Sequence, residues 1–303
     1  MKLIAAVYAP MQADQSLNLE IIDQYAPFLM TNGIKGVFVN GSTGDFVSLT
    51  DKERMELIEK WSDYSKEDFK IINHVGHNSL REARKLASHA SKYVDGIAVL
   101  PPYYFKLKRI QDLVLYCKQI AEAAPNVPFY YYHIPALSGA NFKMRDFVEI
   151  AVKEIPTFQG IKFTNNDFID YQECVLYNDL LAEKYEMYFG IDEMLMNSLN
   201  LGGNGWVGST YNHIAPLYQS IMEAFGNQEY KLAMEMQSKA IKFVNILDGY
   251  GGFNGAGKSY MRALGVDCGP TRFPHTSLAD DNILEINKKL KSAGLTESNF
   301  SSK

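Results

Sequence analysis

The first twelve residues, Met1-Lys2-Leu3-Ile4-Ala5-Ala6-Val7-Tyr8-Ala9-Pro10-Met11-Gln12, decide between two folds. One lysine, an apolar run and a proline read as a buried first strand. An open doubly wound sheet that binds a dinucleotide would carry a GxGxxG turn directly after that strand. This stretch holds no glycine, which favours the other way of burying a parallel sheet, a closed barrel. The run is too short to span a membrane, and no convincing cleavage region follows it.

Outward from there the chain alternates short apolar runs with longer segments of helical period. Further strands are expected at 36–39, 70–75, 96–100, 128–132, 158–163, 187–189 and 205–207. Between them, 17–30 places apolar residues at Leu19, Ile22, Tyr25 and Leu29, the spacing of one helix face. Thr50 with Glu53 three residues on reads as a capping box opening a helix to about residue 64. Helices at 79–93 and 110–124 follow the same logic. Eight strands in strict alternation with helices must pair in parallel, and parallel strands need both faces covered. The expected fold is an α/β protein, a (β/α)8 TIM barrel over 1–225. Beyond it, helices at 230–247, 258–264 and 282–290 form an extension over 226–303, packed on the barrel as one structural unit.

Length alone, 303 residues, would suggest two domains; the alternation replaces them with one barrel and its tail. Acidic residues outnumber basic ones by 35 to 30, a net charge of −5, which argues against a nucleic-acid partner. No apolar run approaches the length of a membrane helix. Cys117, Cys174 and Cys268 are odd in number and widely spaced, so neither a disulfide framework nor a zinc cluster is expected, and reduced cytoplasm is the natural setting.

In a TIM barrel the chemistry lies at the C-terminal ends of the strands. Lys162, in Gly160-Ile161-Lys162-Phe163-Thr164, ends an apolar strand. Burial there would lower its pKa and free its amine to attack a carbonyl; the alternative is a snorkelling or ion-paired strand-end lysine. Tyr132 ends the neighbouring strand in Tyr130-Tyr131-Tyr132-His133-Ile134-Pro135, one strand spacing away and able to shuttle protons. Alternation puts Tyr130 and Tyr132 on one face and Tyr131 on the other, so at least one of the three serves packing alone. The turn Gly41-Ser42-Thr43-Gly44-Asp45 offers hydroxyls and backbone N–H groups but no cation, which suits a carboxylate better than a polyphosphate. It also reads as an ordinary capping turn.

Two apparent motifs are set aside. Gly252-Phe253-Asn254-Gly255-Ala256-Gly257-Lys258-Ser259 satisfies GxxxxGK[ST], but it follows a helix instead of a strand. His74 and His77 straddle a strand end with no third ligand nearby in sequence, so no metal is expected.

Five segments in order, Gly41-Ser42-Thr43-Gly44-Asp45, Tyr132-His133-Ile134-Pro135-Ala136-Leu137-Ser138-Gly139, Gly160-Ile161-Lys162-Phe163-Thr164, Gly190-Ile191-Asp192-Glu193 and Gly208-Ser209-Thr210-Tyr211-Asn212, resemble the N-acetylneuraminate lyase (sialic acid aldolase) family, within the class I pyruvate aldolase and dihydrodipicolinate synthase superfamily. The resemblance runs from the first strand to about residue 215 and more loosely through the tail. It implies a carbon–carbon lyase that cleaves N-acetylneuraminate reversibly to N-acetylmannosamine and pyruvate. Lys162 would form the covalent imine, with no metal or organic cofactor. Tyr132 would be the proton shuttle, assisted by Ser42 and by Tyr104, whose ring in the family reaches a neighbouring subunit's site. Ser42 and Thr43 would hold the substrate carboxylate, while Thr164, Gly190, Asp192, Glu193 and Ser209 would line the pocket for the sugar part. A homotetramer is implied.

Asp45 stands where the family usually has glutamate. Leu137 stands where the dihydrodipicolinate synthase branch has an arginine for a second carboxylate, and the acidic Asp192-Glu193 pair also disfavours an acidic aldehyde. The rivals are an aldolase acting on 2-keto-3-deoxy sugar acids and a non-catalytic barrel that senses a keto acid or sialic acid. A preference for short unacetylated aldehydes would favour the first, and binding without turnover the second.

Overall fold

The structure, a computed structural model, describes residues 2–301. Among them eight strands close into a barrel: β1 (Lys2–Ala6), β2 (Gly36–Val39), β3 (Lys70–His74), β4 (Gly96–Val99), β5 (Phe129–His133), β6 (Phe158–Phe163), β7 (Glu186–Phe189) and β8 (Gly205–Gly208). Each pairs in parallel with the next and β1 closes on β8, so the expected (β/α)8 barrel is the fold. Strand ends shift by a few residues. β1 stops at Ala6, short of Pro10, although the Val7 N–H still reaches the Phe38 carbonyl at 3.2 Å. Helices cover the outside, among them Ile22–Thr31, Asp51–Ser62, Leu80–Ala90, Ile110–Ala121, Met144–Glu154, Phe168–Leu180 and Tyr211–Gly226. The expected capping box opens Asp51–Ser62, with Thr50 Oγ1 accepting the Glu53 N–H and Glu53 accepting the Thr50 N–H.

Alternation along each strand sorts side chains into two cores. Outward residues such as Val37, Ile71, Ile97, Tyr131, Ile161 and Phe189 meet the helices. Inward residues, among them Ile4, Phe38, Ile72, Ala98, Tyr130, Tyr132, Tyr188 and Val207, fill the barrel. The three consecutive tyrosines therefore divide as expected: Tyr131 packs 4.5 Å from Phe147 outside, while Tyr130 and Tyr132 point in. At the lower end Tyr130 and Tyr188 stack at 5.7 Å. The Tyr130 hydroxyl donates to Glu186 at 2.5 Å, and Lys2 donates to the other carboxylate oxygen at 2.9 Å. Glycines on the neighbouring strands make room for these rings: a Cβ on Gly205 would lie 2.5 Å from Tyr188, and one on Gly96 2.9 Å from Tyr130. The floor is thus plugged, and the open end is left for chemistry.

The chain then adds helices at Tyr230–Asp248, Phe253–Tyr260 and Asp280–Ser292. Phe243 and Leu247 are buried, and the Phe243 ring lies 5.3 Å from that of His213. The short helix starts earlier than its expected 258–264, because glycine here serves close packing and does not break the helix. A Cβ on Gly255 would meet the Thr276 carbonyl at 2.4 Å, and one on Gly257 the Tyr8 hydroxyl at 2.3 Å. The GxxxxGK[ST] match is therefore mostly helix, and Lys258 Nζ donates to the Pro270 carbonyl at 2.6 Å, with no phosphate cradle formed.

Arg272 ties the tail to the front of the barrel. Its guanidinium pairs with both Glu53 oxygens and donates to the Ser48 and Gln15 carbonyls at 2.7 Å each. The Arg272 bond is the main reason Glu53 is lowered from 4.5 to about 2. Arg272→Ala is expected to lower stability by about 1–3 kcal/mol at neutral pH, the usual range for losing charge-assisted hydrogen bonds. Since the folded pKa is depressed, the contribution is present above 4.5 and lost as pH falls toward 2. Urea unfolding of both proteins at pH 7 and pH 3 checks this: the gap between midpoints should narrow at the lower pH.

Candidate active site

Register sets the site. In the β5–β6 ladder Tyr132 stands directly opposite Lys162, and both point inward at the open end. Lys162 is 5% exposed, with its Nζ 4.2 Å from the Tyr132 ring centroid and 4.3 Å from that of Phe38. Burial pulls its pKa down to about 7, and Asp192 works weakly the other way. The unprotonated amine, the form that attacks carbonyl carbon, is then populated near neutral pH. Burial also pushes Tyr132 up to about 12, opposed by the Ser42 and Thr164 hydroxyls that face it. Tyr132 is therefore a phenol at rest, 3.4 Å from Ser42 Oγ.

The turn bearing Ser42 and Thr43 is fixed from below. Asn40 adopts φ 57° and donates its amide to the Arg54 carbonyl at 3.0 Å and to Asn73 Oδ1 at 2.8 Å. His74 is buried with Nδ1 2.9 Å from the Asn40 carbonyl, while its Nε2 accepts the Leu100 N–H at 3.3 Å. His77 Nδ1 accepts the Ser79 N–H at 2.8 Å. Both histidines are thus committed to loop structure, and no group of three potential metal ligands occurs among the described residues. Asp45 also takes a left-handed backbone, φ 51°, and lies 3.8 Å from His275 of the tail. It faces that segment and does not line the cavity around Lys162.

A cavity of about 440 Å³ opens above Lys162 and gathers most of the expected residues: Ser42, Thr43, Tyr132, Lys162, Thr164, Gly190, Asp192, Glu193 and Ser209. The ladder carries two of them past the strand ends, with Thr164 N–H bonded to the His133 carbonyl and Gly190 N–H to that of Phe163. Gly190 leaves room for the Thr164 hydroxyl, since a Cβ there would come within 2.2 Å of Oγ1 and force that side chain to move. Asp192 is buried, and desolvation with Glu193 nearby raises it to about 6 despite two bonds from Thr210.

Tyr104 is not part of this group. Its ring is 76% exposed and packs 5.0 Å from Phe105. Leu137, also exposed, borders a neighbouring cavity of about 480 Å³ that shares Ser42, Thr43 and Phe253 with the first. Sequence reading missed Asn245 and Asp248 on the tail helix Tyr230–Asp248, and Phe253 after it, which form a wall of the Lys162 cavity. Proximity in sequence to a strand end could not find them.

A lysine amine desolvated beside a phenol is equipped to form an imine with a carbonyl compound and to move protons around it. Borohydride trapping of a small keto acid should accelerate as pH rises through about 7, following deprotonation of Lys162. In Asp192→Asn the midpoint should fall, because the carboxylate that favours the ammonium is gone. Trapping rates across pH 5–9, as a convenient range on the scale of these pKa values, check both.

The dihydrodipicolinate synthetase family matches residues 1–293. N-acetylneuraminate lyase of Pongo abelii is 37% identical over 294 residues, 96% of this chain and 91% of that protein. The Homo sapiens enzyme is 36% identical over the same shares. Among solved structures, Proteus mirabilis N-acetylneuraminate lyase superposes with a TM-score of 0.91 at 34% identity, covering 97% of this chain and 99% of that one. The N-acetylneuraminate lyase (sialic acid aldolase) of Aliivibrio salmonicida gives 0.92 at 34% identity, covering 98% of each. With the barrel, the strand-end lysine and its tyrosine already in place, these likenesses make the chain a member of the dihydrodipicolinate synthetase family.

Proposed function

We propose that this protein is a class I aldolase that cleaves N-acetylneuraminate reversibly to N-acetylmannosamine and pyruvate. The observation that carries this reading is Lys162, desolvated at the cavity floor and in register with Tyr132. Relatives that match across almost the whole chain include the N-acetylneuraminate lyases of Pongo abelii and Homo sapiens, and the cavity wall is rich in groups that bind hydroxyls.

The free Lys162 amine adds to the keto carbon of the open-chain sugar acid. The carbinolamine loses water, aided by a proton from the Tyr132 phenol, and leaves a protonated imine. Tyr132, left as the phenolate beside Ser42, then takes the proton of the hydroxyl on the far carbon of the scissile bond. The carbon–carbon bond breaks, its electron pair moves into the imine, and an aldehyde departs from the resulting enamine. Protonation of the enamine carbon and addition of water release pyruvate and restore the amine. The imine nitrogen is the electron sink, so the cycle uses no metal or organic cofactor.

Ser42 and Thr43 suit the substrate carboxylate. Thr164, Gly190, Asp192, Glu193 and Ser209 suit the sugar part, and Leu137 in place of a cation fits a substrate without a second carboxylate. The exposed Tyr104 and Phe105 rings support a homotetramer in which Tyr104 completes a neighbouring subunit's proton relay. The three free, buried cysteines fit a reducing, cytoplasmic setting.

Borohydride with pyruvate should leave a reduced adduct on Lys162, mapped by peptide mass. Lys162→Met should lose both the adduct and cleavage, the latter by several orders of magnitude. An adduct elsewhere, or none, overturns the imine mechanism. In the synthetic direction, N-acetylmannosamine should outcompete short unacetylated aldehydes in kcat/KM; the reverse order would move the assignment to 2-keto-3-deoxy sugar acids.

A further inference from the structure

Asp192 opens the turn Asp192–Met194 after β7, and its two carboxylate oxygens have different surroundings. Oδ2 accepts two bonds from one residue, the Thr210 N–H at 2.9 Å and the Thr210 hydroxyl at 2.6 Å. An ionised carboxylate only accepts, so the single Thr210 hydroxyl proton goes to Asp192. The Tyr218 hydroxyl, 2.9 Å from Thr210 Oγ1, then donates to the threonine oxygen. All three side chains are buried. The Asp192 backbone is held as well: Gln237, on the tail helix, donates from Nε2 to the Asp192 carbonyl at 3.2 Å and accepts the Met196 N–H on Oε1 at 3.1 Å.

Oδ1 is the exception. It is buried and makes no hydrogen bond of good geometry among the described residues. The Tyr211 hydroxyl, likewise buried and unbonded, is its neighbour and, among those residues, the one donor near the carboxylate besides Thr210. Oδ1 occupies the space a side chain on Gly208 would fill, since a Cβ there would lie 1.7 Å from it; Gly208 and Asp192 both line the Lys162 cavity. A buried carboxylate oxygen left without a well-made hydrogen bond is costly, and the cost is relieved when a hydroxyl of a bound ligand reaches it.

We propose that Thr210, Tyr218 and Gln237 are positioning residues for the sugar part of the substrate: they occupy Oδ2 and the backbone of Asp192 and leave Oδ1 as a single oriented acceptor. This rests on the sialic acid lyase reading and adds a reason for its selectivity. A freely turning carboxylate would offer either oxygen to either hydroxyl. A clamped one accepts from one direction only and favours a polyol that places its hydroxyl there.

The clamp also sets the protonation state. Burial raises Asp192 to about 6, with the neighbouring Glu193 adding to the rise. The two Thr210 bonds lower it again, as Lys162 does more weakly. Of the other ionisable groups around it, Tyr8, Tyr132, Tyr211 and Tyr218 are all phenols with raised pKa values, so none is charged near neutrality. Removing the Thr210 hydroxyl therefore raises the Asp192 pKa further and moves the acid limb of kcat/KM to higher pH.

The test compares Thr210→Val, Thr210→Ser, Tyr218→Phe and Asp192→Asn, each by N-acetylneuraminate cleavage across pH and by borohydride trapping of pyruvate alone. Thr210→Val should raise KM for N-acetylneuraminate about tenfold, the usual effect of a lost hydrogen bond to a charged group. It should shift the acid limb upward and leave pyruvate trapping at pH 7 within about twofold on the same scale. Thr210→Ser should restore both values, and Tyr218→Phe should shift them in the same direction by less. If Thr210→Val folds poorly, Tyr218→Phe carries the comparison by itself. Asp192→Asn separates the two levels. If it leaves KM unchanged, the sugar-binding role of Asp192 is wrong and the proposal falls with it. If it raises KM while Thr210→Val and Tyr218→Phe change neither KM nor the acid limb, the clamp alone is overturned. Equal loss of trapping and cleavage in the Thr210 variant would also overturn it, since the residue would then be supporting the fold.

Discussion

Everything at the open end of this barrel depends on the register between β5 and β6. A parallel ladder displaced by one residue would turn Lys162 outward into the helical layer and bring Phe163 into the barrel. The observed pairing is held by shape. Gly160 lies so close to the Glu186 carbonyl of β7 that a Cβ would stand 1.9 Å from it, and Tyr130, paired with Gly160, is anchored below by Glu186. With the bottom layer locked, the next inward layer brings Tyr132 and Lys162 face to face. The amine then loses its water to Phe38 and Tyr132, and its low pKa follows from that enclosure.

The enclosure is expensive in polar terms, and the surrounding structure answers it with bonds from outside the barrel. Arg54 is buried and donates to the His74 and Gly76 carbonyls, holding the end of β3 beside the Ser42 turn. Asn212 donates to the Ala6 and Ser209 carbonyls and accepts the Tyr25 hydroxyl, which joins β1, β8 and the first helix. Gln237 and Arg272 extend the same bracing into the tail. The last 75 or so residues are thus continuous with the barrel in their packing and hydrogen bonds, and they close one side of its mouth.

Much of this was legible in the sequence. Buried parallel strands are written as short apolar runs, so β2 and β6 could be bounded to the residue. Strand-end side chains of this fold meet at one end of the barrel, so Lys162, Tyr132 and the Ser42 turn could be grouped without any contact information, and they do line one cavity. What stayed hidden has a common physical character. Thr210 and Gln237 are polar residues on or beside helices, a pattern shared with any solvated face, and only the fold buries them against Asp192. Asn245, Asp248 and Phe253 are far from every strand in sequence and meet the cavity through helix packing. The glycines of Phe253–Tyr260 looked like breakers because their reason, close approach to Thr276 and Tyr8, lies in another part of the chain.

The wall formed by Asn245, Asp248 and Phe253 has a further consequence. Lys162 and Tyr132 belong to strands that cannot shift without unsettling the barrel, whereas these three belong to a segment wrapped on afterwards. Substitutions in the wrapped segment can therefore reshape the cavity wall without moving Lys162. One scaffold can in this way diversify its diet while its chemistry stays constant.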